Sequence, residues 1–117
     1  MAACADVDPD GDDFETSLEA QSFAFDTQLV EGPRHCQPFV IEFTNLDEPS
    51  QDISEHEHNI FIRLDNVLGF LAFEGETIGT ATIRYDVPGL PAGTHYFYCS
   101  FHAEVMKGDL VVAEAGT

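Results

Sequence analysis

Residues 96–112 read Tyr96-Phe97-Tyr98-Cys99-Ser100-Phe101-His102-Ala103-Glu104-Val105-Met106-Lys107-Gly108-Asp109-Leu110-Val111-Val112. An aromatic run with strand propensity leads in, and the run 109–112 leads out as a second strand, with Lys107-Gly108 expected to make the turn between loop and strand. The intervening loop carries a thiol, an imidazole and a thioether. Residues three and seven positions after Cys99 reach back to one point from a loop, whereas an extended strand would carry them far away.

Working outward, Pro38-Phe39-Val40-Ile41-Glu42-Phe43-Thr44 alternates cleanly and is bounded by Gly32-Pro33 before and Asn45-Leu46-Asp47-Glu48-Pro49 after, which predicts a strand. Residues 58–64 predict another, with Ile60, Ile62 and Leu64 on one face. Leu18, Ala20, Ser22 and Ala24 alternate with Glu19, Gln21, Phe23 and Phe25, as in a strand whose inner face is ambiguous. Residues 65–79 are less regular and are consistent with a short helix or a long loop. Residues 80–87 form a Thr- and Ile-rich strand, and Pro88-Gly89-Leu90-Pro91-Ala92-Gly93 forces a turn. Short strands spaced by turn signals predict an all-β sandwich in one domain. At 117 residues there is material for a single core.

The hydrophobic fraction of 44%, with ten Phe, is enough to fold. No apolar run approaches the length needed to cross a bilayer. Four basic residues, Arg34, Arg63, Arg84 and Lys107, face 22 acidic ones, for a net charge of −18. Nucleic acid and anionic lipid surfaces are excluded as partners by repulsion. The charge fits solubility or high-salt adaptation better than steering toward a basic docking face, because steering needs only a local patch. Residues 1–14, acidic and containing Pro and Gly, are expected to form a flexible leader, with the folded domain spanning 15–117. No basic and apolar stretch of a signal peptide is present at Met1-Ala2-Ala3-Cys4.

Cys99, His102 and Met106 are soft donors, and Glu57-His58-Asn59-Ile60-Phe61 adds a second imidazole that arrives from another part of the fold. One Cys and two His with a weak axial Met is the ligand set of an electron-transfer copper centre. A lone Cys after an aromatic strand is more often a buried hydrophobe, and a lone Met is more often core; their ordered combination reverses that balance. His56 shares parity with His58 but sits among Glu55 and Glu57, so a solvated position is expected. His95 lies four strand residues from Cys99, about 13 Å, and is expected to be structural. His35, in a Pro-flanked loop beside Cys36, is not expected to bind metal.

The segments 93–99 and 106–112, with Phe39 to Asn45 and His58-Asn59, resemble the motifs of the small blue copper proteins, the cupredoxins, and Phe23-Ala24-Phe25-Asp26 is similar to their opening strand. The resemblance spans about residues 17–113. It implies a Greek-key β-sandwich holding one type 1 copper through His58, Cys99 and His102, with Met106 axial. Two residues separate Cys99 from His102 and three separate His102 from Met106; amicyanin-like loops are one residue shorter, plastocyanin-like loops one longer, and azurin-like loops put more residues between Cys and His. His95 stands where the family usually has Tyr.

The resemblance further implies a non-enzymatic carrier that exchanges single electrons with redox partner proteins through the edge of His102, in an apolar patch that Phe101, Ala103 and Val105 would supply. Such partners would offer a basic or apolar docking face, and a monomer outside the cytoplasm is expected. Asn59 is expected to pin the two ligand segments together, and Glu104 to favour Cu(II). Cys4 and Cys36 either form a disulfide, or Cys4 marks a lipid-anchored terminus. Rival readings are a copper buffer or delivery protein using the same ligands at an exposed site, a cysteine hydrolase, and a plain adhesion sandwich. The hydrolase is disfavoured because Cys99 closes a strand in an acidic chain rather than opening a helix.

Overall fold

The alternation around Phe39 organises one half of the molecule. In the computed structural model, which describes residues 14–22, 24–48, 57–66 and 68–113, nine strands follow in order. They are β1 Glu15–Gln21, β2 Ala24–Phe25, β3 Leu29–Arg34, β4 Phe39–Asn45, β5 Phe61–Arg63, β6 Leu71–Glu74, β7 Ala81–Val87, β8 Gly93–Tyr98 and β9 Lys107–Ala113. No helix occurs among the described residues. One sheet runs β2-β1-β4-β7 and the other β3-β9-β8-β5-β6. The pairs β1–β4 and β3–β9 are parallel and the remaining pairs antiparallel. Consecutive strands β3 and β4 lie in different sheets, so the chain crosses between layers as a Greek-key sandwich does.

Every second residue of β4 is buried: Phe39, Ile41, Phe43 and Asn45. Phe39, Ile41 and Phe43 join Leu18 and Ala20 of β1 and Tyr85 and Val87 of β7 in one cluster with Val30, Ile62, Phe97, Leu110 and Val112 of the other sheet. Aromatic contacts tie the layers: Phe25 meets Phe97 with centroids 5.3 Å apart and Phe73 meets Tyr85 at 5.4 Å, while Phe43 stacks on Tyr85 within one sheet at 5.7 Å. Each such ring buried from water contributes on the order of 1.5–3 kcal/mol.

Five local expectations are corrected. Residues 18–25 are not one strand: Ser22 adopts a left-handed φ of 54° and Ala24–Phe25 fold back on Ala20 and Gln21. The strand β3 was hidden because Gly32-Pro33 reads as a turn; it lies at a sheet edge, where a proline without an N–H is tolerated, and its register shifts between Glu31 and Arg34. Within 58–64 only Phe61–Arg63 is strand, and His58 makes an isolated bridge to Ile78. Residues 65–79 contain the strand β6, entered through a turn with Asp65 at φ 70°.

Finally, Lys107 and Gly108 are the first residues of β9 rather than a turn. Gly108 is required by close approach, since a Cβ there would lie 2.6 Å from both the Gln28 carbonyl oxygen and the Phe97 ring. Phe14, counted with the leader, packs edge-on against Phe39 and accepts a hydrogen bond from Val40 N–H. Residues 1–13, including Cys4, and His56 lie outside the described residues.

Candidate metal centre

Strand β8 ends at Tyr98, and Cys99 follows where the chain leaves the sheet. The loop beyond it is closed by its own backbone hydrogen bonds. Cys99 N–H donates to Met106 O at 2.9 Å, His102 N–H to Cys99 O at 3.1 Å, and both Val105 and Met106 N–H to His102 O at 3.0 and 2.8 Å. These bonds curl eight residues into a closed turn, so His102 stands over Cys99 instead of running away from it. His58 arrives from the opposite side, fixed by reciprocal backbone bonds with Ile78 of 3.1 and 3.0 Å. Asn59 then joins the two segments: its Oδ1 accepts from Ser100 N–H at 2.9 Å, and its Nδ2 donates to Ser100 Oγ at 2.8 Å and Thr77 Oγ1 at 3.0 Å.

The result is a group of three donors, His58, Cys99 and His102, with ligand atoms all within 4.8 Å of one another. His58 and Cys99 are fully buried, while His102 is half-buried at the surface. Cys99 Sγ lies 3.9 Å from His58 Nδ1 and 3.8 Å from His102 Nδ1. A trigonal ion with bonds of about 2.3 Å to sulfur and 2.0–2.1 Å to nitrogen would hold S and N about 3.8 Å apart. The donor spacing therefore fits a single metal, and one thiolate with two imidazoles is a set that suits copper. Met106 is fully buried in the cluster that contains Cys99.

Electrostatics favour the thiolate of Cys99 and tie His58 to acidic neighbours. Burial opposes the Cys99 thiolate, but hydrogen bonds from His58 and from the backbone N–H groups of Asn59 and Phe101 outweigh it and hold the thiol below its ordinary range. Burial likewise opposes a charged His58, yet its contacts with Cys99 and Asp47 carry its pKa upward. The Asp47 contact is close: His58 Nε2 lies 2.6 Å from Asp47 Oδ2. Burial raises the Asp47 carboxyl, but bonds from His58 and Ser22 N–H outweigh that and leave it below its usual value.

The other described histidines, His35 and His95, are occupied elsewhere. His95 is buried, its Nδ1 accepting from Asp65 N–H at 3.0 Å and its Nε2–H donating to Pro91 O at 2.6 Å. His35 Nδ1 accepts from Ala92 N–H at 2.9 Å, bracing the proline-rich turn. Both are structural, as read from sequence. Cys36 is disulfide-bonded and Cys99 is a free buried thiol. Sequence reading missed Asp47, eleven residues before His58 in a segment taken only as the end of a strand; no periodicity announces such a contact.

No protein-family model and no curated protein sequence matches the chain. Solved structures do match it. Azurin Az-iso2 from the methylotroph Methylomonas sp. strain J superposes with a TM-score of 0.72 at 16% identity, covering 87% of this chain and 99% of the azurin. Reduced auracyanin from the photosynthetic bacterium Roseiflexus castenholzii gives 0.69 at 18% identity, over 88% and 99%. Auracyanin A from Chloroflexus aurantiacus, described as a "blue" copper protein, gives 0.61 at 18% identity, over 84% and 97%. The architecture is therefore the cupredoxin fold.

Proposed function

We propose that this protein is a single-electron carrier built around one type 1 copper. The observation that carries this reading is the His58-Cys99-His102 group, two donors buried and His102 half-buried, at ligand spacing on a cupredoxin sandwich. Cys99 as thiolate with His58 and His102 would hold the ion, and Met106 would be the axial ligand. Copper bound there supplies a one-electron couple between Cu(II) and Cu(I).

The chain's own contribution is rigidity. The closed 99–106 turn, the His58–Ile78 bridge and the Asn59 cross-links keep the donors in one geometry, so little ligand movement accompanies a change of charge. His102 is the half-buried donor, with Phe101 and Val105 exposed beside it at 48% and 58%. That apolar rim around a ligand edge would dock redox partner proteins, with a basic surface on the partner complementing the acidic chain. Burial of His58 and Cys99 favours a carrier over a copper buffer or delivery protein, which needs an exposed, adaptable site.

A disulfide at Cys36 favours an extracytoplasmic setting. No helix of the described residues is long and apolar enough to cross a membrane. Voltammetry of the copper-loaded protein tests the carrier role. A reversible one-electron wave with fast self-exchange is expected; copper held only as Cu(I), without such a wave, would favour the buffer.

A further inference from the structure

Asp47 is held with more care than a loop carboxylate on a protein of charge −18 requires. Its side chain is 16% exposed. Ser22 N–H, presented by the left-handed turn between β1 and β2, donates to Oδ1 at 2.9 Å and Oδ2 at 3.2 Å. Its own N–H donates to Asn45 Oδ1 at 2.9 Å, and the Asn45 Nδ2 donates to Ile78 O at 3.0 Å, the same residue that bridges His58. The Thr80 hydroxyl donates to the Asp47 carbonyl. Three separate segments thus converge to aim one carboxylate oxygen at His58 Nε2, 2.6 Å away.

We propose that Asp47 is a positioning residue for His58, fixing its tautomer and biasing the site toward Cu(II). With Nε2–H given to the carboxylate, the Nδ1 lone pair is left facing Cys99 Sγ, the side on which the donors converge. An anionic acceptor makes the imidazole a stronger donor, and contacts of this kind behind a ligand change metal affinity about 10–100-fold when removed. A partly buried carboxylate also favours the more highly charged ion, because its field is less screened than that of a fully exposed group. Glu104, exposed in the ligand loop, lacks that advantage.

This inference rests on the copper reading above. Its test uses Asp47→Asn, nearly isosteric: an amide oxygen in the place of Oδ2 can still accept from both His58 and Ser22, but the negative charge behind His58 is gone. The Cu(I):Cu(II) affinity ratio is expected to rise at least about tenfold, a potential shift of roughly +59 mV for one electron. Glu48→Gln, which removes the same charge from an exposed neighbour, is the control and is expected to shift the ratio far less. In the diamagnetic Cu(I) protein, the wild-type His58 Nε2–H should give a downfield, slowly exchanging proton resonance. That measurement needs no variant, so it decides the contact even if Asp47→Asn fails to fold. A blue protein whose His58 Nε2–H exchanges freely, or whose potential is the same in Asp47→Asn, overturns the role of Asp47 while leaving the copper reading intact. A wild-type protein that binds no coloured copper overturns both.

Discussion

Replacing Asn59 by Ala removes the strap between the two halves of the site. Three hydrogen bonds disappear, two to Ser100 and one to Thr77. Each is worth about 0.5–1.5 kcal/mol net, and Ser100 is exposed enough for water to replace part of what it loses. The expected loss is therefore about 2 kcal/mol, the lower half of the simple total. With a urea dependence of roughly 1.5 kcal/mol per molar, the unfolding midpoint of the metal-free protein should fall by about 1.3 M. Asn59→Leu, which refills the volume without the polar contacts, should fall nearly as far, because bonds and not packing are at stake. Equilibrium urea unfolding followed by circular dichroism gives both values. A drop under about 0.3 M in Asn59→Ala, or full recovery in Asn59→Leu, would refute the claim that this side chain binds the His58 and Cys99 segments through hydrogen bonds.

Three further outcomes follow from the same structure. Gly108→Ala would place a methyl group 2.6 Å from the Gln28 carbonyl and the Phe97 ring, so a loss of about 1–3 kcal/mol is expected in thermal unfolding, and a neutral result would contradict the close approach. Burial raises the Tyr85 pKa above the ordinary value of 10.0. Its contribution is thus complete below pH 10 and lost as pH rises toward the folded value, and the wild-type advantage over Tyr85→Phe should shrink by up to about 1.4 kcal/mol per pH unit there. Parallel stability curves for the two proteins would show that Tyr85 does not titrate differently on folding. Glu104→Gln should raise the copper potential, but by less than Asp47→Asn because solvent screens an exposed charge; an unchanged or lower potential would remove Glu104 from the account.

The layout of the sandwich was legible where period and burial agree. Strand β4 alternates perfectly and was found within a residue of its ends, as was β7. Failures have local causes. Edge position excuses Pro33, so β3 escaped a reading that treats Gly-Pro as a stop. The short β6 pairs with β5 at a register shift, which erases its alternation. In the candidate site, the His58-Cys99-His102 group was legible because its donor chemistry is unusual at that spacing, and Asn59 because it adjoins His58. Asp47 was not: a carboxylate among 22 acidic residues carries no signal until Ser22, Asn45 and Thr80 are seen to converge on its loop.

The most direct test is titration of the metal-free protein with Cu(II), followed by visible absorption and EPR. One copper per chain should bind, with an intense visible thiolate band and a type 1 EPR signal, both lost in Cys99→Ser. A folded wild-type protein that stays colourless with Cu(II) would contradict the account at its centre.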